Sequence, residues 1–159
     1  MSAIFDEIRR RPDGLVLPKV VANLTPAQVA DLSNGCGTRK IRVPQKILGV
    51  NFEDACNGHD CCYSFGEDEE DKRISDRLFL YNLLVLVDEH CKRNGIVDRA
   101  ERVACREAAF EYYKAVADWG KWAFYAHKDG PSPGFGSPLG SEPDEARLVR
   151  GRSFREGGD

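Results

Sequence analysis

The stretch Cys56-Asn57-Gly58-His59-Asp60-Cys61-Cys62-Tyr63 gathers groups that move protons and bind cations. On a helix, His59 and Tyr63 are i, i+4 neighbours, Cys56 and Asp60 form another such pair, and Asp60 and Tyr63 stand three apart. Cys56, His59, Asp60 and Tyr63 therefore share one face. Upstream lies Asn34-Gly35-Cys36-Gly37-Thr38, and downstream Ile74-Ser75-Asp76-Arg77 sets a second carboxylate on a neighbouring helix. A histidine, two carboxylates and a glycine loop are the parts of a calcium-assisted hydrolytic site. Calcium takes about 6 to 8 oxygen ligands, which a glycine-rich loop supplies as backbone carbonyls while Asp60 adds a carboxylate. Held there, calcium polarises an ester carbonyl and stabilises the oxyanion. Zinc is the chemical rival, since Cys56, His59, Cys61 and Cys62 are all competent ligands. However, Cys61 lies ~140° around the helix from Cys56, and Cys61 and Cys62 diverge by ~100°, so one helix does not aim all four at one metal.

The elements that must position these groups are legible as helices. Ile4, Phe5 and Ile8 give a short N-terminal helical signal that ends in Arg9 to Arg11 and the turn Pro12-Asp13-Gly14. Thr25-Pro26-Ala27-Gln28 reads as a capping box opening one or two turns through Leu32. From Gly35 to Gly49 no period persists, which predicts a structured loop of a length that is often functional. Asn51-Phe52-Glu53-Asp54 resembles a helix start, with acids where the helix dipole favours them, and that helix runs to Phe65 before Gly66. The acidic run Glu67 to Asp71 leads to a longer helix from about Lys72 to Arg93, stopped by Asn94-Gly95. Its expected buried stripes are Ile74, Leu78, Tyr81 and Val85, and Leu80, Leu84, Val87 and Cys91. A third long helix spans about Asp98 to Phe124, with Val103, Ala104, Phe110, Tyr113, Val116, Ala117 and Trp119 on its expected buried side. Tyr112 and Tyr113 point ~100° apart, and Tyr113 is the one expected to face the core. The fold class is all-α.

Three segments follow from this pattern: 1–33 with short helices, 34–127 as the core, and 128–159 as a Gly/Pro-rich tail, within one globular domain overall. A length of 159 residues gives a prior of about one domain. A 42% hydrophobic and 31% charged composition excludes a disordered or collagen-like chain. A formal charge of −3 leaves no electrostatic footprint for nucleic acid. The longest apolar stretch, Leu78 to Val87, is broken by Asn82 and is shorter than the ~20 residues that cross a bilayer. Six cysteines suggest an oxidising compartment, hence a secreted or otherwise exported protein. The N-terminal residues show no apolar signal-peptide core, so export requires that a signal has been removed or that delivery takes another route.

Cys-x-x-His-Asp-x-x-Tyr, as Cys56, His59, Asp60 and Tyr63, resembles the active-site helix of the secreted phospholipase A2 superfamily. Asn34-Gly35-Cys36-Gly37 resembles that family's calcium loop, and Ser75-Asp76-Arg77 the stretch bearing its histidine-orienting aspartate. The compact bacterial and fungal form is the nearest, because Cys91 and Cys105 bracket the turn between the last two helices and Glu111 to Val116 resembles its final helix. The likeness covers roughly Asn34 to Trp119. It implies two antiparallel helices carrying the site, a further long helix and a calcium-binding loop.

It also implies roles. His59 is the general base on water and Asp76 orients it; Tyr63 hydrogen-bonds Asp76. Calcium is held by Asp60 with carbonyls of Gly35, Gly37 and Arg39, and the Gly37 amide contributes to the oxyanion hole. The implied substrate is a glycerophospholipid cleaved at its sn-2 ester, met at a membrane or micelle surface to which the protein binds peripherally. Cys36–Cys56 and Cys91–Cys105 are the implied disulfides. Cys61 and Cys62 depart from the pattern, since the position before the helix aspartate is Ser75; they are free and buried, joined to each other, or paired between chains. Two other classes share these motifs: a non-catalytic binding or toxin module, and an injected antibacterial effector using the same chemistry. His90 reads as a surface histidine favoured by the helix dipole, and the acidic run as an exposed loop. Ile41, Val43, Ile47, Leu48 and Val50 are candidates for the substrate mouth or for a core strand.

Overall fold

The computed structural model describes residues 5–36 and 43–125. Gly37, Arg39, Ile41 and the 128–159 tail of the sequence reading lie outside the described residues. The chain is mostly helical. Its order is β1 (Ile8–Arg10), β2 (Val16–Pro18), α1 (Lys19–Ala22), α2 (Pro26–Leu32), β3 (Lys46–Ile47), β4 (Val50–Asn51), α3 (Glu53–Phe65), α4 (Glu69–Arg93) and α5 (Arg99–Tyr125). Residues 1–116 form one compact unit and 117–159 another, whose described part is the C-terminal end of α5.

The N-terminal segment corrects an expectation. Ile8 lies in a strand, and β1 pairs antiparallel with β2 through the turn at Pro12-Asp13-Gly14, where Gly14 adopts φ 86° and the Asp13 carboxylate accepts from the Leu15 amide. Long-range docking decides this segment: the buried Asn82 side chain of α4 accepts from Val16 N at 2.7 Å and donates to Val16 O at 2.9 Å. Leu17 then packs with Phe5, Val21, Cys61 and Cys62 in a small core of its own. At α2 the capping box of Thr25 and Gln28 forms as the sequence predicts. Within the predicted loop, β3 and β4 make a hairpin whose turn residues Leu48 and Gly49 have φ 51° and 82°, the two positive values of a tight hairpin turn. Val50 is buried there and Leu48 is exposed at the tip.

The long helices begin and end close to where local chemistry sets them. Asn51 Oδ1 accepts from the Glu53 amide at the start of α3, and Gly66 closes it. Asp68 and Asp71 form a reciprocal capping box on α4, which starts three residues earlier than the period alone suggests. At its other end Ile96 N donates to Cys91 O and Gly95 N to Lys92 O, with Gly95 at φ 61°, the pattern of a Schellman stop. Because only Gly66 to Asp68 separates α3 from α4, the two run side by side: Tyr63 reaches Asp76, and His59, one turn earlier, meets Asp76 and Phe79.

The buried faces differ from the predicted stripes. On α4 the buried line is Lys72, Asp76, Phe79, Leu83, Val87 and Cys91, while Tyr81 is exposed. Polar side chains, among them Lys72, Ser75, Asp76 and Asn82, lie on the buried side with their partners, so apolar spacing finds Val87 and Cys91 but misses the buried positions before them. On α5 the buried residues are Cys105, Ala109, Tyr112, Gly120 and Phe124, Tyr113 is only partly buried, and Val103, Phe110 and Trp119 are 47%, 37% and 45% exposed. Small Cys105 and Ala109 are among the buried positions, whereas side-chain size favours Val103 and Phe110.

Cys36 and Cys56 are bridged, with Cα atoms 5.1 Å apart. The expected Cys91–Cys105 bridge is not formed: both are buried thiols, as are Cys61 and Cys62. Burial first, and then the adjacent Cys91, push the Cys105 thiol up.

Candidate active site

The catalytic candidates come from α3 and α4. His59 is buried and its Nε2 lies 2.8 Å from Asp76 Oδ1. The same oxygen accepts from the Tyr63 hydroxyl at 2.6 Å, while Oδ2 accepts from Lys72 Nζ at 2.7 Å. Burial alone raises the Asp76 carboxyl, but His59, Lys72 and Tyr63 outweigh it and hold the group below its ordinary value. An ionised Asp76 only accepts, so the His59 proton it takes sits on Nε2 and the lone pair of neutral His59 sits on Nδ1. No described residue hydrogen-bonds Nδ1. The ring is fixed by Tyr63 and Phe79, whose centroids lie 4.1 and 4.5 Å from it. Burial first, and Asp76 second, push the Tyr63 phenol up, so it remains a donor.

Asp60 is on the same helix and accepts from the Asn34 amide at 3.1 Å. Burial pushes its carboxyl up to about 7, against an ordinary 3.8, and the Asn34 hydrogen bond offsets only part of this. A carboxylate made costly by burial is a group that a cation stabilises. Beside it Gly35 has φ 79°, a left-handed conformation, and the neighbouring Cys36 is tied by its disulfide to Cys56, one turn before Asp60. It is the positive φ that favours glycine at 35, since the one atom a Cβ there would meet within 3 Å is the end of the exposed, flexible Gln45 side chain. Among the described residues no three His, Cys, Asp or Glu side chains converge on a point. Gly37 and Arg39, the other expected ligands, are outside the described residues.

The structure therefore brings His59, Asp76, Tyr63 and Asp60 onto facing turns, with Gly35 alongside. It adds two groups that the sequence reading missed. Lys72 carried a signal, its i, i+4 spacing to Asp76. Tyr112 carried none: it comes from α5, stacks near Phe52 at 5.3 Å, and sets its hydroxyl 3.7 Å from the Cys56 sulfur. Burial, then the nearby Asp60 charge, push its phenol up to about 12. No protein-family model, no curated protein and no solved structure matches this chain.

Proposed function

We propose that the protein is a calcium-dependent phospholipase A2 that hydrolyses the sn-2 ester of glycerophospholipids, with the fold and calcium loop of that superfamily. The observation that carries the reading is the buried His59 imidazole, its Nε2 committed to Asp76 and its Nδ1 left available to a water. In this reading Nδ1 takes the proton of that water as it attacks the ester carbonyl. Asp76 steadies the imidazolium, and Tyr63 and Lys72 keep Asp76 ionised and oriented. His59 then returns the proton to the leaving glycerol oxygen, so no covalent acyl-enzyme forms. Asp60, with the Gly35, Gly37 and Arg39 carbonyls, would hold the calcium, which supplies carbonyl polarisation and charge stabilisation when bound. By the resemblance of the motifs, the Gly37 N–H would contribute to the oxyanion hole. No helix among the described residues is long and apolar enough to cross a membrane, in keeping with peripheral action on a lipid surface. The Cys36–Cys56 bridge is compatible with export.

The test is release of a labelled sn-2 fatty acid from phospholipid vesicles and micelles, with calcium titrated against a chelator. Parent protein should release it in a calcium-dependent manner. His59→Gln should lose about 10² to 10⁴-fold, the usual worth of a general base, and Asp60→Asn should lose the calcium response. Calcium binding without any release from the parent would overturn the hydrolase reading in favour of a binding module.

A further inference from the structure

Lys72 is the one feature of this site whose position runs against elementary electrostatics. Its side chain is only 6% exposed, and that of its partner Asp76 is 11% exposed. It stands in the first turn of α4, after Glu69, Glu70 and Asp71, where the helix dipole disfavours a cation. Burying an ammonium costs several kcal/mol, and ion pairs of this kind are weak contributors to stability compared with an apolar side chain of similar volume. A methionine would fill the same space without either penalty. What Lys72 does have is a single charge partner, Asp76 Oδ2 at 2.7 Å, and the face of the Tyr63 ring, 5.9 Å from its Nζ.

We propose that Lys72 is a positioning residue for the His59–Asp76 pair, locking the Asp76 carboxylate in the plane that presents Oδ1 to His59 and Tyr63. The terminal torsion of an aspartate is broad and two-fold, so a carboxylate held at one oxygen can swing. Here Oδ1 is held from α3 by His59 and Tyr63, and Oδ2 is held from α4 by Lys72. The three contacts leave no rotation that keeps all of them. Lys72 also lies over the Tyr63 ring, so one cation braces both the Asp76 carboxylate and Tyr63, one of the two groups that contact Oδ1. The catalytic consequence rests on the hydrolase reading; the geometric one does not.

The discriminating experiment pairs kinetics with proton NMR of the His59 Nε2–H, a downfield resonance of a hydrogen-bonded imidazole, at one fixed pH. Lys72→Met should stay folded, lose or move that resonance upfield, speed its exchange with water, and lower kcat about ten- to a hundredfold, the range of a lost charge-assisted hydrogen bond, with KM changed less than about twofold. Lys72→Arg, which keeps a charged donor, should restore the resonance and most of kcat. A folded Lys72→Met with an unmoved resonance and kcat within about twofold of the parent overturns the proposal. If Lys72→Met does not fold, the comparison passes to Asp76→Asn against the charge-neutral pair Lys72→Met with Asp76→Asn. Equal activity in the two supports action through Asp76, and a further loss in the pair refutes it. Should the parent prove inactive on every lipid, the resonance still decides the positioning role, since it needs no substrate.

Discussion

Asp60 makes a quantitative demand on the fold. Its carboxyl is pushed up to about 7 by burial, from an ordinary 3.8. Between those values the folded protein keeps the Asp60 proton and the unfolded chain has released it, so unfolding frees a proton and stability falls as pH rises. The slope is about 1.4 kcal/mol per pH unit. Over this window the loss totals about 4 kcal/mol, complete near pH 7 and absent below about pH 4. Asp60→Asn cannot ionise and should lack this component. The assay is urea unfolding of the oxidised protein at intervals from pH 4 to 8 in chelator, read as parent minus Asp60→Asn so that other titrating groups cancel. Adding calcium to about a hundred times its dissociation constant should return about 2.7 kcal/mol to the parent at pH 8 and nothing to the variant. Parallel pH curves for the two proteins in chelator would refute the assignment of a buried, burial-raised carboxyl at this position.

Three further outcomes follow from contacts outside the catalytic pair. Asn82→Ala should cost about 2 to 4 kcal/mol, because it strands the Val16 N–H and C=O that Asn82 now satisfies; hydrogen exchange should show the Val16 amide deprotected, and an unchanged rate there would contradict the docking role. Gly58→Ala places a Cβ 2.9 Å from Leu17 Cδ2, so overpacking of about 1 to 3 kcal/mol should outweigh the ~1 kcal/mol gain in helix propensity. Melting of the double variant with Leu17→Ala should reveal less-than-additive loss, and strict additivity would mean that the two do not touch. Opening the Cys36–Cys56 bridge, which spans a separation of 20, with a paired serine substitution should cost about 3 kcal/mol. It should also weaken calcium binding, because the bridge ties Cys36, two residues after the Asn34 amide that Asp60 accepts from, to α3; unaltered calcium affinity in a folded variant would show that the bridge does not position that loop.

Local rules carried much of this protein. The ends of α2, α3 and α4 lie within a few residues of where Thr25, Asn51, Gly66 and Gly95 place them, since caps and stops are decided by neighbours a few residues apart. The grouping of His59, Asp60 and Tyr63 was legible for the same reason, being a property of one helix. Asp76 was reached by resemblance to a known motif, and its contact with His59 and Tyr63 is what the fold displays.

Tertiary structure decided the rest. Which side of α4 is buried depends on Lys72, Ser75, Asp76 and Asn82 finding partners, and a polar group's burial cannot be read until its partner is known. Tyr112 is the more deeply buried of the two tyrosines because Phe52 and Phe79, distant in the chain, form the surface it meets, while Tyr113 packs at the edge of the same core. The β1–β2 hairpin exists against α4, not by its own propensity, and the state of Cys91 and Cys105 depends on their chemical environment as much as on their position. The long helices, and the residue types that share one helical face, follow from interactions that are short in chain distance. Burial, charge pairing and the raised carboxyl of Asp60 needed the folded chain, because each depends on what excludes water from a group and what replaces it.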